Sequence, residues 1–309
     1  MSEPLIAILG GTGFVGEALV SEIVGKAFRC RVLIHRTLPD WLMHPLIDVR
    51  SVDLASDTDL YSALYGCDIV VNLLRPDATG WHASMTNRLV GVLLSAGIKR
   101  YLHVSSIDVY GGTRRRFVEE NTPPEPVTRY EQEHAAGEAA AAGIPLDVGI
   151  VRLGAVFGPR GRNLLAIAQD MRDAPFWRLA LRRSLYGRRR LHLVGVDTVA
   201  RALLHLAVEP RRLSSERFLV TEDRDPDNEF AAVQDIFAAA FKRPSLRHIP
   251  LLPEATLQAA LALRGRSDRY PQRRYSDAAL AARGFNPGRP LAGAIRELAE
   301  SWAAEPDLP

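Results

Sequence analysis

The sequence has 309 residues, enough for one large α/β domain or a nucleotide-binding domain with a smaller lobe, and 47% of them are apolar. No apolar run approaches the ~18–20 residues that span a bilayer, and the opening MSEPLIAILGG runs into a strand-like segment without the basic stretch and cleavage site of a signal peptide. A cytoplasmic protein with no membrane partner is expected. The net charge of +3 rests almost wholly on arginine, with lysine only at Lys26, Lys99 and Lys242. These charges are dispersed and carry no recognition-helix or aromatic RNA-binding motif, so nucleic acid is not the expected partner. Clusters such as Arg114–Arg116 and Arg188–Arg190 suit either a solvated surface or a phosphate, which the guanidinium fork grips with two hydrogen bonds.

Short apolar runs alternate with helical stretches along the first half of the chain. LIAIL (residues 5–9) precedes a helix over about residues 14–26, and RVLIH (31–35) follows. VRSVDL ends near Asp53 and leads to a helix near 57–65; DIVVNLL (68–74) precedes a helix near 84–96. RYLHVSS (100–106) gives way to a loop rich in Gly, Arg and Pro, then an alanine-rich helix containing TRYEQEHAAGE, then LDVGIVRL (146–153). Continuous Val/Ile/Leu strands separated by helices predict a parallel sheet covered on both faces, and right-handed crossovers make it doubly wound. Past Gly158 the regularity weakens. A helix near 197–207 and a strand near 218–221 are placed back on the main sheet, while helices near 229–241, 253–263 and 291–302 build a small lobe. The expected division is a dinucleotide-binding domain over 1–158 with 193–222 returning to it, and a substrate lobe from 159–192 and 223–309. The two cysteines, Cys30 and Cys67, lie in no metal-spacing motif; buried free thiols in a reducing compartment are expected, and no metal.

The first strand runs directly into Gly10-Gly11-Thr12-Gly13-Phe14-Val15-Gly16, which opens the first helix. Glycine at positions 10, 13 and 16 permits a tight turn, lets the backbone approach a pyrophosphate and allows close packing of helix on sheet. The helix N-terminus adds free N–H donors and partial positive charge. At the first strand-to-helix turn of an alternating chain, this pattern points to a dinucleotide. The second strand ends at His35-Arg36 where an acidic residue would take the ribose hydroxyls of NAD. Arginine there suits a 2′-phosphate, so NADP is the expected cofactor, with NAD second. Asp53 is placed to meet the adenine amino group; Leu54 beside it and Leu73 at the end of the fourth strand complete the expected cofactor wall.

Taken together, GGTGFVG (10–16), GCDIVVNL (66–73), KRYLHVSSIDVYG (99–111), Tyr130 and its helix, VRLGAVFGP (151–159), LVGVDTVARAL (193–203) and RGFNP (283–287) make the chain resemble the extended short-chain dehydrogenases/reductases, in the NAD-dependent epimerase/dehydratase group. The resemblance covers nearly the whole length and implies a Rossmann fold with a mainly helical C-terminal lobe. It implies chemistry by a Ser/Thr, a Tyr and a Lys. Ser106 matches the first, with Ser105 as fallback, and would hydrogen-bond the reacting oxygen. Tyr130 would move a proton as hydride passes to or from the nicotinamide. Asn87 matches a family asparagine near the cofactor. The lysine position holds His134, whose imidazole can hydrogen-bond a ribose hydroxyl but, being mostly neutral near pH 7, supplies little of the charge that favours tyrosinate.

The resemblance further implies a small-molecule substrate such as a nucleotide sugar. Arg190 and Arg273 or Arg274 lie where family members place arginines on a substrate diphosphate. Two departures bear on substrate: Ala155 stands where sugar-nucleotide members often carry asparagine, and Val196-Asp197-Thr198 replaces a paired aspartate. Family members often pair through helices of the main domain, so a homodimer is compatible. The expected function is an NAD(P)-dependent epimerase/dehydratase-like oxidoreductase. The competing reading is a dinucleotide-binding protein of the same fold with little or no catalysis, acting as a redox sensor or in regulation or assembly.

Overall fold

The computed structural model describes residues 3–35, 38–263, 270–305 and 308. Its elements, in chain order, open with β1 (Ile6–Leu9), α1 (Phe14–Gly25), β2 (Cys30–Ile34), β3 (Ile47–Ser51), α2 (Asp57–Leu64), β4 (Ile69–Asn72) and α3 (Trp81–Ser95). Next come β5 (Arg100–Ser106), a single 3-10 turn (Ile107–Tyr110), β6 (Phe117–Val118), α4 (Arg129–Ala142), β7 (Asp147–Leu153) and β8 (Ala155–Phe157). The second half runs α5 (Leu165–Asp173), α6 (Phe176–Tyr186), β9 (Leu193–Gly195), α7 (Val196–Val208), β10 (Glu216–Val220), α8 (Phe230–Ala240), α9 (Glu254–Leu263), β11 (Arg274–Tyr275), α10 (Ala278–Ala282) and α11 (Leu291–Ala304).

Seven strands form one sheet in the order β10-β7-β5-β4-β1-β2-β3, and every pairing in it is parallel. The strand order reverses beside β1, which makes a doubly wound sheet with a crevice at the carboxyl ends of its strands. Both faces are covered, as strands of unbroken apolar residues require. On one face α1 and α7 bury Leu19, Ile23, Val199, Leu203 and Leu206 against Ile6, Ile8, Val71 and Val151. On the other, Leu60, Leu64, Leu89, Leu93 and Ala141 from α2, α3 and α4 pack on Ala7, Leu9, Val70 and Ile150. The return of β10 to the sheet follows from its alternate buried residues Phe218 and Val220, which complete the first core.

A separate apolar cluster holds the lobe together. Phe157, Ile167, Met171, Leu179, Phe237, Ile295 and Trp302 draw α5, α6, α8 and α11 around β8 and β9, which pair with each other outside the main sheet. The sequence assigns no element between residues 159 and 192, where its regularity weakens; the structure places α5 and α6 there, helices whose apolar residues are interrupted by arginine. The segment near α10 also departs from its expected place in the lobe. Leu280 and Phe285 pack into the core of the main sheet, because α10 lies against β10. Cys30 and Cys67 are buried free thiols, and burial pushes them up to about 12 and about 11 respectively. Among the described residues no helix is long and apolar enough to cross a membrane.

Candidate active site

The glycine loop closes the carboxyl end of β1. Gly10 has φ +78°, a region side chains disfavour, and a Cβ there would lie 3.2 Å from the carbonyl carbon of Leu73 on the neighbouring strand end. Gly16 is tighter still: a Cβ would sit 2.3 Å from the Gly10 carbonyl oxygen and 2.6 Å from Gly11 backbone atoms. Gly13 caps α1 without any side-chain hydrogen bond, and its carbonyl accepts from the Glu17 N–H at 2.9 Å. The N–H groups of Phe14, Val15 and Gly16 precede that first helical bond and have no place in the helix ladder. The cradle therefore fits a pyrophosphate: bare backbone, a helix N-terminus and no Cβ in the way. The Phe14 ring packs where Cβ atoms on Gly158 or Gly161 would meet it at 3.1 and 3.0 Å, and Arg160 pairs with Glu17, so the loop after β8 closes over α1.

The remaining expected cofactor residues fall unevenly. Leu54 and Leu73 are half-buried. Asp53 is exposed and its carboxylate accepts from the Ala55 N–H at 2.8 Å, shaping its own turn. Asn87 is exposed, because α3 turns His82, Met85, Thr86 and Leu89 inward instead. Arg36 lies outside the described residues.

Tyr130 and His134 sit in the first turns of α4. Thr128 and Glu131 form a reciprocal capping box that starts the helix there: the Thr128 hydroxyl accepts from the Glu131 N–H and the Glu131 carboxylate from the Thr128 N–H. Tyr130 is half-buried, and its ring meets that of His134 edge-on, with centroids 4.7 Å apart and planes at 85°. His134 is only 3% exposed. Its Nδ1 lies 3.4 Å from the Ser105 hydroxyl, which ties the tyrosine's helix to the end of β5. Ser106, one residue on, donates its hydroxyl to Asp108 at 2.9 Å and accepts from the Asp108 N–H. So Ser105 touches the lysine-position residue, while Ser106 faces a carboxyl that sequence reasoning overlooked. Burial raises the Asp108 carboxyl above its ordinary value, against the opposing effects of the Ser106 hydrogen bond and the charges of Arg75 and His192.

His134 is not alone. His82 of α3 and His103 of β5 complete a buried trio, with the His82 ring 5.9 Å from each of the other two. His82 donates Nε2–H to the Leu74 carbonyl at 3.1 Å; His103 Nδ1 lies 3.1 Å from the Tyr101 hydroxyl, which accepts from Asn72. His82 Nδ1, His103 Nε2 and His134 Nε2 are buried without hydrogen-bond partners. Burial, then the neighbouring imidazoles, pushes His103 and His134 down to about 3, with Arg75 adding to the effect on His134, and burial lowers His82 as well. All three are neutral at pH 7. Among the described residues no group of three or more His, Cys, Asp or Glu is arranged to hold a metal ion. Gly137 permits the cluster: a Cβ there would press on His103 and His82 at 3.1 Å.

Two arginines expected at a substrate are engaged elsewhere. Arg190 is buried, and its guanidinium donates to the Asp223 and Asp225 carbonyls at 3.0 and 3.1 Å. Arg273 is buried too, donating to the carbonyls of Arg115, Tyr110 and Thr113. Both hold loops together; a buried backbone carbonyl needs such a donor as much as a phosphate does. Arg274 keeps an exposed side chain. The side chains that do gather beyond β5, β7 and β10 are Asp108, His192, Asp223 and Tyr275. They come from four distant segments, and no motif marks them.

Comparison with known proteins agrees with this architecture. The sequence model of the NAD dependent epimerase/dehydratase family matches residues 6–220. Among curated proteins, the "probable low-salt glycan biosynthesis reductase Agl14" of Haloferax volcanii is 29% identical over 132 residues, 43% of this chain and 41% of that protein. The chain spans less than half the length of each of the curated relatives it matches. Among solved structures, the enzyme WbmG of Bordetella bronchiseptica, crystallised with NAD, superposes with a TM-score of 0.75 at 17% identity, over 97% of this chain and 94% of that one. The UDP-N-acetylglucosamine 4-epimerase of Bacillus cereus gives 0.70 at 16%, over 97% and 99%. At such identities the superpositions speak to the fold. The family match reaches from the first residue of β1 to the last of β10, taking in the glycine loop, the serines and Tyr130, and on that ground the chain belongs to the NAD dependent epimerase/dehydratase family.

Proposed function

We propose that the protein is an NADP-dependent oxidoreductase of the epimerase/dehydratase type that works by hydride transfer on a nucleotide sugar or a similar phosphorylated substrate. The observation that carries this reading is the Ser105–His134 contact at 3.4 Å, which draws the Tyr130 helix onto the serine-bearing end of β5 beside the glycine loop. The nicotinamide, when bound, supplies the hydride chemistry; Gly10, Gly13, Phe14, Val15 and Gly16 would hold its pyrophosphate. Tyr130 takes the proton of the hydroxyl being oxidised and returns it in reverse. Ser106 hydrogen-bonds the reacting oxygen. Asp108 would hold Ser106 in place, its carboxyl accepting from the serine hydroxyl and its N–H donating to the same oxygen. His134 orients Tyr130 through the edge-on ring contact, without charge. The substrate class draws on the relatives, which include a UDP-N-acetylglucosamine 4-epimerase and a glycan biosynthesis reductase, and on the exposed Arg274.

Thermal shift with NAD, NADP and a panel of UDP-, GDP- and dTDP-sugars tests it, since a ligand that binds only the native state raises its stability by mass action. NADP is expected to raise the midpoint more than NAD, and one sugar nucleotide to raise it further. Shifts with a dinucleotide but with no sugar nucleotide would sink the proposal. Arg36→Asp should weaken NADP far more than NAD. One observation favours the second reading, a dinucleotide-binding protein with little or no catalysis: the lysine position holds a buried, neutral imidazole. That reading predicts full NADP binding with no turnover of any bound sugar nucleotide.

A further inference from the structure

Immediately before β9, beside the carboxyl ends of β7 and β10, stands a further histidine outside the buried trio, and its surroundings are built. His192 Nδ1 lies 2.8 Å from Asp223 Oδ2. The Asp223 carboxyl is 2% exposed and held in place: Oδ2 also accepts from the Tyr275 N–H at 2.9 Å, and Oδ1 from the Asn228 amide at 3.4 Å. A carboxylate can only accept, so Nδ1 carries a proton and donates it, which leaves Nε2 as the ring's free hydrogen-bonding atom. The ring is fixed from its side by Tyr275, edge-on with centroids 4.8 Å apart and planes at 86°. Nε2 has no hydrogen-bond partner among the described residues, and the side chain remains 18% exposed.

The backbone is equally constrained. His192 has φ +53°, a left-handed conformation that costs a non-glycine residue free energy and persists where the surroundings enforce it. Its carbonyl accepts from the Ala155 N–H at 2.8 Å, and Gly154 makes room, since a Cβ there would lie 2.4 Å from the His192 oxygen. Tyr275 also packs against Ile107 and Tyr110, in the turn that carries Asp108, to which Ser106 donates, so His192 and the serine-bearing end of β5 share one neighbourhood. A left-handed backbone, a buried carboxylate and an aromatic edge thus hold in place a ring whose Nε2 has no partner among the described residues.

We propose that His192 is a substrate-contacting residue whose Nε2 hydrogen-bonds a hydroxyl of the sugar moiety, with Asp223 as its positioning residue. This rests on the nucleotide-sugar reading above and adds the group that distinguishes the sugar from the nucleoside diphosphate. No bond is made or broken at this contact; it selects a hydroxylated substrate and sets its pose beside Tyr130.

Isothermal titration of the NADP-loaded protein with UDP-glucose, GDP-mannose and dTDP-glucose, each beside its own nucleoside diphosphate, tests this. The variant is His192→Asn, since asparagine tolerates the left-handed φ. For a sugar nucleotide that binds the wild type, His192→Asn is expected to weaken affinity about 3- to 10-fold, the worth of one hydrogen bond, and to leave the matching diphosphate unchanged. Asp223→Asn, which takes away the carboxylate that anchors Nδ1 and so loosens the ring, should show the same selective loss. Equal weakening of sugar nucleotide and diphosphate, or no weakening of either, overturns the proposal; a merely structural His192 would give the first of these with a lowered melting midpoint. If diphosphates bind but no sugar nucleotide binds more tightly than its diphosphate, the hydroxyl contact is likewise refuted. If NADP binds and neither ligand class does, it is the nucleotide-sugar reading itself that fails.

Discussion

The glycine loop and the start of α4 sit at the same edge of the same sheet, yet they work by opposite means. The loop functions through what it lacks. Gly16 has no Cβ because backbone oxygen lies where one would go, and Gly10 turns back on itself at φ +78°. Its ligand-binding groups are backbone N–H donors that every residue possesses. The start of α4 functions through side chains whose properties depend on burial. There a histidine fills the place where the family keeps a permanent cation, and burial holds it neutral, with a pKa near about 3. The first region depends on glycines with no room for a Cβ, Gly11 against Val32 among them; the second changes character with one side chain. On the proposed function, dinucleotide binding and catalysis are expected to be separable, each breakable without the other.

The largest expected effect falls on the second region. Tyr130→Phe keeps the ring against His134 but removes the only proton it can move, and should cost roughly 10²–10⁴-fold in turnover, with the NADP-induced thermal shift intact. Turnover within twofold of wild type would remove Tyr130 from the chemistry. The converse break is Gly16→Ala. The clash is with backbone atoms of residues 10 and 11, which cannot swing away, so it should cost about 1–3 kcal/mol of stability and abolish the dinucleotide shift. A variant that melts like wild type and still shifts with NADP would show that the cradle is not where the pyrophosphate sits.

These two regions also differ in how far the sequence discloses them. Strand-helix alternation and the GxxGxxG spacing are local signals, and β1, α1, β5 and a parallel, doubly wound sheet were legible from them, though not the order of its strands. The helix that carries Tyr130 was legible in its alanine-rich run. Burial was not. Arg190 and Arg273 read as phosphate ligands because sequence shows the charge and not the carbonyls that need it. His82, His103 and His134 come from α3, β5 and α4 and form a cluster only once those elements pack; the same is true of His192 and Asp223, joined across 31 residues. The helices α5 and α6 were missed because arginine and proline mask their apolar faces.

The arginines give the next, smaller test of that lesson. Arg273→Ala removes the donor to three backbone carbonyls and should destabilise by about 1–3 kcal/mol, read from chemical denaturation, whereas exposed Arg274→Ala should stay within about 0.5 kcal/mol. If substrate phosphate contacts belong to either, they belong to Arg274, and its alanine variant should lose sugar-nucleotide affinity without losing stability. The reverse pattern would return Arg273 to the substrate.

The smallest effect comes from the histidine trio and concerns acid. His103 and His134 are held near about 3 in the folded protein, against about 6.5 in an unfolded chain. A folded-state pKa below the unfolded one means that the unfolded chain binds protons first, so stability is fully present above pH 6.5 and is lost as pH falls from there towards 3. Between pH 7.5 and pH 6 each such histidine should withdraw about 0.8 kcal/mol, rising to about 1.4 kcal/mol per pH unit below that. His134→Gln fills much the same space but cannot titrate, so its unfolding free energy should fall less steeply over the same interval, whatever its offset at neutral pH. Parallel curves for the two proteins would mean that His134 takes up its proton as readily folded as unfolded. A protonated His134 would then stand beside Tyr130 at mildly acid pH, supply the charge that lysine gives in the family, and remove the one observation that favours a protein without catalysis.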